Sequence, residues 1–216
     1  MTTLRPGRLE AFSDGVFAIA ITLLVLEISL PEGAGDDLLG AFLDEWPSYL
    51  AYLVSFATIG VTWVRHAAIT HHLDGVDTTF VRLNLGLLLL VSFLPFPTGL
   101  VAEHVHDDEA ERVAATILGL NLLLVSAMVS TLWAHAVRRG LVRPDADDTE
   151  VRLLAQRLTP GLAGYVAMIL LGLVLPIVAV LGYLVIALAL LIPAGLRRVR
   201  SIPLPQRNEN DEGPGR

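Results

Sequence analysis

The sequence predicts an all-α integral membrane protein with six transmembrane helices per subunit. Three observations carry that expectation. The chain is 54% hydrophobic over 216 residues and has a mean hydropathy of +0.63. Its apolar residues gather into runs of about 18 or more, the length a helix needs to cross a hydrocarbon core ~30 Å thick. Its charges are segregated, with arginine in one set of connections and carboxylates in the other.

The spans follow from the runs. The first covers about 9–30 and stops at Pro31-Glu-Gly-Ala-Gly. The second covers about 46–69. The third covers about 79–102 and contains Pro95 and Pro97, and the fourth covers about 112–137. From Leu158 to Leu196 the chain is apolar for longer than one crossing needs at ~1.5 Å per residue. Proline disfavours helix in the residue before it, so Leu175-Pro176 is the expected break. Spans five and six are then 153–175 and 176–196. These spans form one six-helix transmembrane domain over residues 1–200. Residues 201–216 are rich in Pro, Asn, Glu and Gly and are expected to form a disordered tail.

All 15 basic residues are arginine. With six spans, Arg5, Arg8, Arg65, Arg82, Arg138, Arg139, Arg143, Arg152, Arg157, Arg197, Arg198 and Arg200 share one side. The other side holds Arg112 among acidic residues such as Asp36, Asp37, Asp44, Glu45, Asp107 and Glu109. By the positive-inside rule this is a multi-pass protein of the cell (inner) membrane with both termini cytoplasmic. Arg5 and Arg8 resemble the n-region of a signal peptide. Ser13 and Asp14, placed where its apolar region would begin, argue against cleavage. The net charge of −7 offers no basic surface, and no nucleic-acid partner is expected. With no cysteine, disulfides and thiolate metal sites are excluded.

The first span carries Phe12-Ser13-Asp14 at its base. An ionisable residue at membrane depth is expensive and marks a functional site by default. A carboxylate there needs hydrogen bonds or an opposite charge. Topology puts Trp63, Arg65 and His66 of the second span, and Arg82 and Asn84 of the third, at the same depth. At ~100° per residue, Arg8, Phe12, Gly15, Ile19, Leu23 and Leu26 form one stripe with Thr22 at its edge. Asp14 points to the opposite side. The ordinary role of such a stripe is packing on helices or lipid, and an interfacial Trp63 and a hydrogen-bonded His66 need no further function. His71-His72 with Asp74, and His104 with His106 and Asp107, lack tight ligand spacing, so no metal site is expected.

The motif Arg8-x-x-x-Phe12-Ser13-Asp14, followed by Gly-Val-Phe-Ala-Ile-x-x-Thr-Leu-Leu-Val, resembles the first helix of the transmembrane protein 175 family of potassium channels. Trp63-x-x-His66, Asn84 and Leu94-Pro-Phe-Pro-Thr98 extend the likeness. The resemblance implies the bacterial, single-repeat type: a homotetramer with four first helices lining a central pore. It implies that Arg8, Phe12, Ser13 and Asp14 form a structural polar network with Trp63, His66 and Asn84. It implies Ile19 as the hydrophobic constriction, continued by Leu23 and Leu26, with Thr22 hydroxyls beside it. Potassium would be the permeant ion, with no cofactor and no metal beyond it. The chain has no Thr-Val-Gly-Tyr-Gly carbonyl filter, and a hydrophobic ring favours the more easily dehydrated ion.

The residues alone leave two other readings. Asp14, His66 and Arg8 could form a titrating relay in a proton- or cation-coupled secondary transporter, although such sites usually lie at the midplane. The chain could also be a non-conducting membrane assembly protein. An enzyme is not expected, because no nucleophile–base pair or metal motif stands out.

Overall fold

The computed structural model describes residues 6–28, 37–104, 107–144 and 160–191. It is all-helical over those residues apart from one isolated antiparallel bridge, Leu73–Val142. The helices are α1 Pro6–Leu23, α2 Leu38–Asp44, α3 Trp46–His71, α4 Thr78–Phe93, α5 Pro95–Glu103, α6 Asp108–Arg138, α7 Pro160–Gly172 and α8 Pro176–Leu191. Four stretches are long and apolar enough to cross a membrane: Pro6–Glu27, Trp46–His71, Thr78–Glu103 and Glu109–Arg138. Gly161–Gly172 and Pro176–Leu191 are shorter apolar helices.

Local chemistry explains the boundaries. α1 tightens into a 3-10 turn over Leu24–Glu27. Asp37 caps α2, accepting from the Gly40 amide at 3.0 Å, and Asp77 caps α4, accepting from the Phe80 amide at 2.7 Å. The short helix α2 falls in a connection whose acidic residues read as plain loop in the sequence. Between α4 and α5 the missing amide of Pro95 interrupts the ladder at Leu94, whose own amide reaches the Val91 carbonyl at 3.2 Å. The two helices nevertheless continue as one crossing. α6 ends in a Schellman motif. Gly140 takes φ +64, its amide donates to Val137, and the Leu141 amide donates to Ala136. Between α7 and α8, the turn over 173–175 leads into Pro176. The parts of the fifth and sixth spans over 153–159 and 192–196, and the tail 201–216, lie outside the described residues.

α3 and α6 form the centre. α3 packs against α1, α5, α6 and α8, and α6 against α4, α5, α7 and α8. In lipid, apolar side chains gain little by leaving the bilayer, so packing and interhelical hydrogen bonds hold such a bundle. Ser55 of α3 and Thr98 of α5 share a buried hydroxyl contact of 2.6 Å. The Tyr183 hydroxyl of α8 donates to the Ala115 carbonyl of α6 at 3.4 Å. It sits against Gly119, where any Cβ would collide with it.

Candidate functional site

The site is built on α1, which crosses beside α3 and α4. Ser13, Phe17, Ala20 and Leu24 turn inward and are buried. Their spacing of three and four residues is one face of a helix. Ser13 is the polar member, and its hydroxyl donates to its own Leu9 carbonyl at 2.8 Å. That bond leaves the Ser13 oxygen free to accept, and Asn84 Nδ2 of α4 donates to it at 2.9 Å. The amide orientation is then fixed, so Asn84 Oδ1 faces α3. There His66 Nε2 donates to it at 2.8 Å. The direction of each bond assigns a proton to Nε2. His66, Asn84 and Ser13 are all essentially inaccessible, and the Phe17 ring packs on the imidazole at 5.5 Å. Three helices are thereby joined by one directional chain of hydrogen bonds.

Asp14 takes a separate partner. It is exposed, and Trp63 Nε1 of α3 donates to its carboxylate at 2.9 Å. Arg65, also at this depth, instead lines a small cavity between α3, α6 and α7 with Thr58, Thr62, Ser126 and Tyr165. Arg8 and Phe12 are exposed, and among the described residues Arg8 has no hydrogen bond or ion pair. Of the polar residues named from sequence, the structure thus brings together Ser13 with Asn84 and His66, and Asp14 with Trp63. It does not bring Arg8 or Phe12 into that network.

The other face of α1 is bare. Ile19 is 61% exposed, Leu23 42% and Leu26 71%. Thr22 is exposed too, and its hydroxyl donates to the Ile19 carbonyl at 2.8 Å. That bond turns the hydroxyl oxygen's lone pairs outward, where they can accept from water or face a cation. Among the described residues no three His, Asp or Glu side chains converge as a metal site. His106 lies outside those residues.

Sequence reasoning missed a second polar contact at the same end of the molecule. His135 of α6 places Nε2 3.0 and 3.1 Å from the two carboxylate oxygens of Asp77. Burial pushes the Asp77 carboxyl up. The Phe80 amide, the His135 bond and the charges of His135 and Arg139 outweigh it and hold the carboxyl below its ordinary range. The signal for Asp77 was present, an Asp immediately before a helical run. Its partner, 58 residues away, had none.

The fold is that of a multi-helix membrane protein whose first helix is hydrogen-bonded at its base and exposes an apolar face on the protomer. A family model described as the endosomal/lysosomal potassium channel TMEM175 matches residues 8–95. A potassium channel of Streptomyces collinus is 42% identical over 161 residues, covering 74% of this chain and 78% of that one. A potassium channel of Chamaesiphon minutus is 46% identical over 162 residues, covering 72% of this chain and 79% of that one. The crystal structure of a lysosomal potassium-selective channel TMEM175 homolog from Chamaesiphon minutus superposes with a TM-score of 0.78. It is 39% identical and covers 86% of this chain and 96% of that chain. The chain belongs to the TMEM175 family, whose members are ion channels and not enzymes.

Proposed function

We propose that this chain is a potassium-permeable cation channel made by four copies whose α1 helices surround a common axis. The observation that carries this reading is the uncovered stripe Ile19, Leu23 and Leu26 on a helix whose rotation is fixed by Ser13. One copy has no second wall for a pore, so a conducting path along the stripe needs further copies. Ile19 then forms a hydrophobic ring that passes ions only when wetted, with Leu23 and Leu26 prolonging the narrow section. Potassium sheds water more easily than sodium, which gives a weak to moderate preference without a carbonyl filter. Thr22 supplies hydroxyls beside the ring. The subunit crosses the cell membrane six times with both termini cytoplasmic, as the arginine distribution favours. No cofactor takes part, and potassium is the permeant ion.

The chain has no cysteine, which permits a direct test. Purified protein in liposomes is expected to carry a potassium flux that excludes a large anion. Ile19→Cys and Leu26→Cys are expected to make that flux sensitive to a thiol reagent and to cross-link between copies, whereas Leu170→Cys, exposed on α7, is not. A reagent-insensitive flux in both α1 variants would remove the stripe from the pore. Uptake that requires a proton gradient would favour a coupled transporter, and a monomer without flux a non-conducting assembly protein.

A further inference from the structure

We propose that Asp77 and His135 form a proton-sensitive clasp that positions α4 and, through Asn84, the first helix. The proposal rests on the channel reading above. Asp77 stands where the connection before α4 meets the last turn of α6. Its carboxylate caps α4 through the Phe80 amide at 2.7 Å and receives His135 Nε2 from the last turn of α6 at 3.0 Å. Beside it the two connections are stitched by their backbones. The Asp74 amide donates to Leu141 at 2.9 Å, the Arg143 amide to His72 at 2.9 Å, and Arg143 Nε to Leu73 at 3.2 Å. The Schellman turn at Gly140 aims that segment back at the loop. The backbone bonds are insensitive to pH, and the Asp77–His135 contact is not.

The contact has a mechanical consequence. Asn84 lies seven residues beyond Asp77, about 10 Å along α4. Asn84 is the residue that donates to Ser13 and fixes the rotation of α1. A shift of the α4 start is therefore passed to α1 through a rigid two-turn rod and one buried hydrogen bond. Asp77 and His135 touch no permeating ion; they are positioning residues.

The sign follows from the chemistry. With a neutral imidazole, His135 donates one hydrogen bond to a carboxylate. Protonation makes the same contact an ion pair, adding a Coulombic attraction to the hydrogen bond. Histidine is the side chain that gains charge on mild acidification, and the ion pair it would then form with Asp77 tightens the clasp. It is lost at much lower pH, as Asp77 is protonated below the ordinary carboxylate range of about 3.9. The other ionisable groups at this corner are His71 at the end of α3, His72 and Asp74 beyond it, Arg82 on α4, Arg138, Arg139 and Arg143 from α6 onward, and Arg8 and Glu10 on α1. Arg139 acts on Asp77 by its charge, and His72 Nδ1 lies 2.7 Å from the Ala68 carbonyl.

The test is potassium flux from liposomes holding the full chain, with the arginine-rich face bathed at pH 8 or pH 6. Flux of the unmodified protein is expected to differ about fivefold between the two, the lower end of ordinary allosteric coupling. His135→Gln keeps a donor but cannot be charged, and its flux is expected to be flat. Should that variant fail to fold, Asp77→Asn serves, since asparagine still caps α4 but cannot form the ion pair. It too is expected to be flat. A pH-independent flux in the unmodified protein, or an unchanged slope in either folded variant, overturns the clasp. Absence of flux at both pH values overturns the channel reading instead.

Discussion

α1 and α3 are both membrane-length helices, yet the more apolar of the two is the less covered. The α1 stretch is 22% buried and the α3 stretch 56%. In water the order would be reversed, because apolar area is what folding hides. In lipid that force is absent between helices, and close packing and hydrogen bonds decide which helix goes inside. α3 is buried through Ser48, Ser55, Thr58, Thr62, His66 and Thr70. The α1 stretch brings one buried hydroxyl, Ser13, with Phe17, Ala20 and Leu24, and leaves Ile19, Leu23 and Leu26 outside. On both helices the buried face combines apolar packing with hydroxyl, amide or imidazole groups, and the exposed stripe of α1 lacks that polar share apart from Thr22 at its edge.

That contrast can be broken by exchanging the two kinds of residue. The largest effect is expected at the base of α1. Asn84→Leu leaves the His66 Nε2 proton and the Ser13 oxygen unpaired in a dry site. At ~1–3 kcal/mol for each buried orphan, the loss is on the order of 3 kcal/mol. Thermal melting in detergent should fall well below that of the unmodified protein, and potassium flux with it. An unchanged melting temperature would show that the chain from Ser13 to His66 does not hold α1.

Ile19→Asn tests the opposite face and is expected to leave the melting temperature almost unchanged, since Ile19 is 61% exposed and lies outside the protomer's core. It is expected to lower the conduction barrier by about 1–2 kcal/mol, roughly a tenfold rise in single-channel conductance. The potassium-to-sodium permeability ratio should move toward unity. Reversal-potential measurements check this, and an unaltered ratio and conductance would place the constriction elsewhere.

The smallest effect is expected at Ser55. Ser55→Ala leaves Thr98 bonded to the Leu94 carbonyl at 2.8 Å, so only the bridge between α3 and α5 is lost. Hydrogen bonds between membrane helices average about 0.6 kcal/mol. A loss as large as that of Asn84→Leu would mean that interhelical hydroxyls matter everywhere, and the base of α1 would no longer be special.

The residues differ in how far their roles were legible beforehand. Depth arguments put Trp63, His66 and Asn84 level with Asp14, because hydropathy and charge fix where each span begins. They did not sort the pairs. Asp14 takes Trp63 and Ser13 takes Asn84, while Arg65 goes to the far side of α3 beside Tyr165. The motif around Arg8 and Phe12 suggested a polar network that includes them, yet both are exposed on this protomer. The wheel gave the stripe of Ile19, Leu23 and Leu26, since a helix face is a periodicity and periodicity is written in one dimension. It could not say whether the stripe was covered, which depends on where α3 and α4 lie.

The sequence by itself determined a membrane protein of apolar helices, the segregation of arginine and carboxylate, and a polar base beneath an apolar face on the first helix. Each is a local or summed property, fixed by residue type and spacing. Tertiary structure decided which groups meet: Ser13 with Asn84 across 71 residues, and Asp77 with His135 across 58. A hydrogen bond requires about 3 Å and a set direction. Those are properties of how α1, α3, α4 and α6 lie against one another, and no single helix carries them in its own periodicity.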